Sequence, residues 1–152
     1  MINYFNVIST KIMIHEISAG IVLYRQLKEQ REYLLLHYPG GHFDFPKGHV
    51  EADESEHETA YRELQEETGI RKIVWIEGYR HKINYTYRRG QDLMSKDVIF
   101  FLARTTQKKV VISHEHKGYS WLPYSDALNK LTFSSAKDLL TKAENFLKKQ
   151  EK

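Results

Sequence analysis

The 152-residue chain carries 23 Lys and Arg against 20 Asp and Glu, has no cysteine, and contains no apolar run near the ~18 residues of a membrane span. Its length suits one domain with one core, and the missing thiols exclude disulfides, thiolate catalysis and cysteine-bound zinc. The formal charge of +3 conceals an asymmetry: Glu51 to Glu67 holds eight acids and one base, a local −7 that leaves +10 on the rest of the chain, a field suited to bringing a polyanion to an acidic focus.

Residues 1–13 carry no clear pattern and are expected to be an extension, either an extra strand or a loose arm, ahead of a single domain over 14–148; Met13 is a second candidate for the working start. Nothing there resembles a cleaved secretory signal, so the cytoplasm is the expected address. Ile14 to Tyr24 is rich in β-branched residues and predicts a buried strand, with Gly20 allowing a close backbone approach. A polar loop leads to a second strand at Tyr33 to His37. The Tyr38-Pro39-Gly40-Gly41 turn then delivers His42-Phe43-Asp44-Phe45-Pro46-Lys47-Gly48, in which Pro46 holds its predecessor extended and Gly48 lets the backbone bend and present its carbonyl.

Next comes one short acidic helix. Ser55 and Glu58 form a capping box and Gly69 supplies the stop. At roughly 100° per residue, Glu63, Glu66 and Glu67 share an arc of about 100° with Glu56 on the same side, while Ala60, Tyr61, Leu64 and Thr68 face a core. Arg62 is one turn from both Glu58 and Glu66, a spacing that lets a guanidinium hold carboxylates in place. Like charges this close repel, and a bound divalent cation reverses the sign; the plain alternative is a solvated acidic face.

After the helix, Ile73 to Tyr87 predicts a long strand or a bent pair with a bulge at Gly78, Arg88 to Asp92 a turn, and Val98 to Ala103 a core strand. Val110 to Tyr124 alternates strand and turn. Ser125 is placed to cap a short helix and Ser134 a longer one, in which Ala136, Leu139, Leu140, Ala143 and Leu147 recur at helical spacing. Such a mixture fits an α+β fold, an α-β-α sandwich.

From Gly48 to Ile70 the chain reads G-x5-E-x7-R-E-U-x-E-E-x-G-U, with U a bulky aliphatic, and every fixed position is met: Gly48, Glu54, Arg62, Glu63, Leu64, Glu66, Glu67, Gly69 and Ile70. In this it resembles the Nudix hydrolases. The resemblance implies a mixed β-sheet between helices and metal ligands at Glu63 and Glu67, joined by Glu66 and the carbonyl of Gly48, with Glu54 and Arg62 orienting the cluster. A further acid from outside the motif is common in the family, and Glu115 is the candidate; its alternative is a surface acid. Hard oxygen donors select magnesium, with manganese as substitute. A phosphoanhydride is cleaved by an activated water, and the candidates to take its proton are Glu66 and Glu63, then Glu115, in a cluster that titrates as a unit.

The flanks narrow the substrate. Ser18-Ala19-Gly20, the GHFDFPKGHVE stretch, Asn84-Tyr85, Lys96 with Val98, and Ser113-His114-Glu115-His116 before Trp121-Leu122 together resemble the asymmetrical diadenosine tetraphosphate hydrolases, from about Ile14 to Leu147. Phe43 stands where that family usually has tryptophan, and residues 1–13 have no counterpart there. The resemblance implies cleavage to ATP and AMP. Lys47, His49 and Lys96 are candidates for the phosphates. Tyr85 and Phe133 match positions that sandwich an adenine, with Tyr87 a weaker third, base stacking being worth about 1–3 kcal/mol. Each aromatic has a core role as its alternative, and His42 either touches phosphate or closes a turn. The competing functions are hydrolysis of an RNA 5′-triphosphate or cap, a diphosphoinositol polyphosphate hydrolase, and a nucleotide-sensing module that binds without cleaving. No membrane and no stable protein partner is implied.

Overall fold

The computed structural model describes residues 13–152. The expected extension therefore lies, except for Met13, outside the described residues, and Met13 itself opens the first strand.

Seven strands form one mixed sheet: β1 (Met13–Gln26), β2 (Arg31–His37), β3 (Phe43–Asp44), β4 (Lys47–His49), β5 (Val74–Arg89), β6 (Asp92–Arg104) and β7 (Gly118–Pro123). The central order is β3-β2-β1-β6-β5, with β4 on β1 and β7 on β2. β1 and β6 run parallel, and the other pairs are antiparallel. Three helices complete the chain: α1 (Glu56–Thr68), α2 (Tyr124–Lys130) and α3 (Ser134–Gln150).

Strand periodicity divides the core into two layers. Ala19, Ile21 and Leu23 of β1 and Ile99, Phe101 and Ala103 of β6 pack with Ala60 and Leu64 of α1. The alternate residues Val22 and Tyr24, with Val98, Phe100 and Leu102, pack with Leu139, Leu140, Ala143 and Leu147 of α3. Helices thus cover both faces, which is why the two central strands read as nearly continuous apolar runs. On the α3 side, Tyr33 donates to Glu144, and Arg31 bridges Glu144 at 3.3 Å and Glu151 at 2.6 Å, fixing α3 to β2. Among the described residues no helix is long and apolar enough to cross a membrane.

Several expectations hold with longer boundaries. β5 is a single strand whose pairing with β6 shifts register between Trp75 and Arg80, around the expected bulge at Gly78. Two helix caps differ. The helices begin at Tyr124 and Ser134 themselves, with Pro123 and Phe133 as extended N-cap residues, and neither Ser125 nor Ser134 makes a capping hydrogen bond. The segment that the Tyr38 to Gly41 turn delivers forms two short strands, β3 and β4. β4 docks on β1 with Gly48 opposite Ala19 and Lys47 opposite Gly20. A Cβ on Gly20 would lie 2.4 Å from the Pro46 carbonyl oxygen, so only glycine admits this approach.

Candidate active site

α1 is set by its ends. Ser55 Oγ accepts from the Glu58 amide at 3.1 Å, and Gly69 closes the helix in the left-handed region at φ 71°, where a side chain is strained. Leu64 and Ala60 anchor it to the sheet, which turns Arg62, Glu63, Glu66 and Glu67 toward β4.

Arg62 organises this face. Its Nε and Nη2 grip both oxygens of Glu54 at 2.7 and 3.0 Å, Nη1 reaches Glu63 at 2.9 Å and Glu66 at 3.2 Å, and Nη2 also donates to the His49 carbonyl at 2.9 Å. One guanidinium therefore joins the pre-helix loop, the helix and β4. It holds Glu54 well below the usual carboxylate range, at about 2, helped by hydrogen bonds from the Glu51 amide and Thr59 hydroxyl. The expected contact with Glu58 is absent: Arg62 Nε is committed to Glu54, and Glu58 is exposed. Glu56, expected beside the carboxylate cluster, pairs instead with Arg80 of β5 at 2.8 Å.

Glu63 and Glu67 form a recessed pair, with side chains 16% and 6% exposed. Burial first, and the neighbouring Glu67 charge second, push Glu63 up to about 7 against the opposing pull of Arg62. Glu67 Oε1 accepts from the Lys47 amide at 3.3 Å. Its other oxygen is buried without an aligned donor, although His116 Nε2 stands 3.1 Å away. Gly48 is pressed against this pair: a Cβ there would fall 1.9 Å from Glu63 Cδ. One buried and one half-buried carboxylate, an oxygen lacking a partner and a backbone with no side chain to intrude make a hard-oxygen donor set that fits a divalent cation. Among the described residues no three His, Asp or Glu side chains converge at ligand spacing. Glu66 is mostly exposed and turned to Arg62, and Glu115 is exposed.

All of these, including Glu115, border a cleft of about 750 Å³, together with Lys47, His49 and Lys96. Lys47 Nζ pairs with Asp44 at 3.3 Å and lies 4.8 Å over the Tyr38 ring. Burial, then the charge of Lys47, lowers the pKa of Lys96. His42, Tyr85, Tyr87 and Phe133 stand outside the cleft lining. His42 stacks on Tyr38 at 4.7 Å and meets Phe133 at 5.3 Å. Phe133 and Tyr85 are 47% and 39% exposed, but their rings do not touch: Tyr85 neighbours Tyr87, whose hydroxyl is committed to Glu16 at 3.1 Å.

Two cleft residues, Tyr38 and His116, and Asp44 beside the cleft were not singled out by the sequence reading. Tyr38 donates to the Phe45 carbonyl at 2.7 Å and holds the rings of His42 and His116. Asp44 restrains Lys47, and His116 faces Glu67 while its Nδ1 lies 3.2 Å from Ser113 Oγ. The signals were the position of Tyr38 directly before the glycine turn and the second histidine of Ser113 to His116. That segment hangs from the end of α1, with the Val111 and Ser113 amides donating to the carbonyls of Thr68 and Glu67 at 2.9 and 3.1 Å.

Comparison with known proteins agrees with this geometry. The NUDIX domain family model matches residues 14–143. The bis(5′-nucleosyl)-tetraphosphatase [asymmetrical] of Rattus norvegicus is 39% identical over 122 residues, 76% of this chain and 80% of its own. The Caenorhabditis elegans protein of the same description is 35% identical over 134 residues, 86% and 95% of the two chains. A solved binary complex of a C. elegans Ap4A hydrolase superposes with a TM-score of 0.77 at 34% identity, covering 87% of this chain and 97% of that one. With a complete motif, a matching fold and relatives that align over most of both lengths, the chain belongs to the Nudix family of hydrolases.

Proposed function

We propose that this protein hydrolyses bis(5′-nucleosyl) tetraphosphates asymmetrically, adding water across one phosphoanhydride of diadenosine tetraphosphate to release ATP and AMP. The observation that carries the reading is the recessed Glu63–Glu67 pair against Gly48, in a chain 35–39% identical to asymmetrical tetraphosphatases. Glu63, Glu67, Glu66, the Gly48 carbonyl and Glu115 are the groups to hold magnesium, with manganese as substitute. A divalent ion there supplies an acidified water and neutralises charge on the phosphoryl oxygens.

The rest is work for the chain's own side chains. Arg62 and Glu54 fix the direction of Glu63 and Glu66. Glu66, the open member of the cluster, accepts the proton of the attacking water, with Glu63 the alternative because a value near 7 leaves it exchanging protons at neutral pH. Lys47, Lys96 and His49 line the same cleft as the carboxylates and are the groups to meet the phosphate chain. Exchange of Asp44 for substrate phosphate at Lys47 would keep that lysine oriented before binding. Tyr85 and Phe133 offer exposed rings for adenine, and His42 braces the Phe133 side. The Phe43 amide donates to Thr132 Oγ1 at 2.9 Å, which ties the Phe133 segment to the His42 turn.

The test is product analysis. Purified protein with diadenosine tetraphosphate and magnesium should yield ATP and AMP in equal amounts by ion-exchange chromatography. Two ADP, no turnover, or strongly faster release of pyrophosphate from triphosphorylated RNA would each remove the proposal.

A further inference from the structure

We propose that a second groove, at the end of the sheet away from the cleft, is an anion site that takes an oligophosphate chain. It has a volume of about 830 Å³, slightly larger than the cleft, and lies beyond the ends of β1 and β6 and the start of β5. Arg25 on its rim is about 20 Å along β1 from Ala19, the residue beside Gly48, at roughly 3.3 Å per residue. The two cavities share no residue.

Charge defines what this groove can hold. Arg25, Arg71, Lys72, Arg104 and Lys108 line it, and no Asp or Glu does. Arg25 is neutralised by Glu32 at 2.7 Å. For the other four, no carboxylate lies within ion-pair distance among the described residues, and residues 1–12 contain no acid. Four exposed cations in one concavity repel each other, and a multivalent anion removes that repulsion.

The walls are held in place without a ligand. Gln107 Oε1 accepts from the Arg71 and Lys72 amides at 3.0 and 3.4 Å, while its Nε2 donates to the carbonyls of Gly69 and Lys109 at 3.0 and 3.1 Å. The Thr105 hydroxyl donates to the Lys72 carbonyl at 2.5 Å. These bonds fix the backbone under Arg71 and Lys72 against the loop that carries Lys108, so the backbone bearing the cations is set before a ligand enters.

The same bonds decide between kinds of anion. Nucleic-acid strands are gripped by stacking on exposed aromatic rings or read at base edges by free amides. No aromatic side chain lines this groove. Its two glutamines are both engaged internally, Gln107 as described and Gln26 on the carbonyls of Leu27 and Gln30. Recognition is left to charge, and a chain of three or more phosphates supplies matching charge within the volume. Leu27 and Val74, exposed on the wall, leave room for the ribose and base of a nucleoside triphosphate without selecting them, so the source is either an inorganic chain or a nucleotide.

The experiment is isothermal titration of the full-length protein in chelator at physiological salt, where the cleft cannot turn ligand over. The probes are inorganic tripolyphosphate, ATP and a ten-nucleotide single-stranded RNA without a 5′-triphosphate. One tripolyphosphate should bind per chain. The Arg71→Gln/Arg104→Gln variant should weaken it at least tenfold, and Lys96→Gln in the cleft should change it less than twofold. Thermal unfolding unaltered from wild type would show that the groove variant is folded. If ATP loses affinity in step, the site accepts nucleotides; if ATP binds only at the cleft, the source is the inorganic chain. Absence of tripolyphosphate binding, loss of it on Lys96→Gln but not in the groove variant, or tighter binding of the RNA would each overturn the proposal. None of these outcomes depends on the reaction proposed for the cleft.

Discussion

Gly48→Ala isolates the geometric demand of the carboxylate pair from its charge. Gly48 has no left-handed φ, so alanine meets no backbone strain there. Its Cβ, however, would stand 1.9 Å from Glu63 Cδ and 2.2 and 2.3 Å from the two oxygens. Ordinary contacts between non-bonded heavy atoms are about 3.5 Å, so the Glu63 carboxylate must retreat by more than about 1 Å. The moving group is the end of a flexible side chain, and the fold can absorb it at little cost. The reaction cannot, because a misplacement of about 1 Å costs on the order of 100-fold in rate, about 2.7 kcal/mol of barrier. The assay is steady-state release of ATP and AMP from diadenosine tetraphosphate at saturating magnesium, with thermal unfolding followed on the same preparation. We expect kcat to fall about 100-fold while Tm stays within roughly 3 °C, a shift that corresponds to about 1 kcal/mol for a domain of this size. A variant that unfolds normally and keeps kcat within threefold of wild type would show that the position of Glu63 does not matter to the reaction.

Arg62→Lys keeps a charge but cannot span Glu54, Glu63, Glu66 and the His49 carbonyl together, so kcat should fall 10-fold or more with the metal requirement intact; an unchanged rate at fixed metal concentration contradicts the orienting role. Glu63 is raised from an ordinary 4.5 to about 7, so its proton stabilises the metal-free fold fully below about pH 4.5, and that contribution is lost as pH rises through 7. Between pH 5 and 7.5 the Tm of metal-free wild type should therefore drop relative to Glu63→Gln, and saturating magnesium should restore it with proton release near pH 6, measurable by calorimetry in buffers of different ionisation enthalpy; parallel unfolding curves would refute the shift. Glu144→Ala leaves Tyr33 and Arg31 facing each other without their shared acceptor, so chemical denaturation should show a loss of about 2–4 kcal/mol with kcat per folded molecule unchanged.

What could be read from the chain alone followed local rules. The capping serine and terminal glycine of α1, the alternation that sends Ile21 one way and Val22 the other, and the bulge at Gly78 are each specified within a few residues. The failures share a cause in tertiary contact. Ser125 and Ser134 have the right chemistry to cap, but extended Pro123 and Phe133 start their helices two residues and one residue sooner. Helical angle alone put Arg62 between Glu58 and Glu66; its Nε instead goes to Glu54, a loop residue whose position depends on β4 docking against β1. His116 is likewise brought to Glu67 by the pairing of the Ser113 and Lys117 backbone with α1 and β2, far away in sequence.

The environment of Glu67 is set by tertiary contacts that the motif does not encode. Its helical angle groups it with Glu66 on a polar face, yet Glu66 is open to solvent and Glu67 is buried, one of its oxygens without an aligned donor. Burying a carboxylate beside another is unfavourable by several kcal/mol unless positive charge compensates. Arg62 does not contact Glu67, Lys47 offers it only an amide, and the facing His116 is out of line. The atoms that the pair itself offers are carboxylate oxygens, and the compensation that suits them is a small, hard, multiply charged cation entering the cleft. The fold therefore keeps this pair at the cost of its own stability, and the same unfavourable charge is what gives a bound ion its hold on the site.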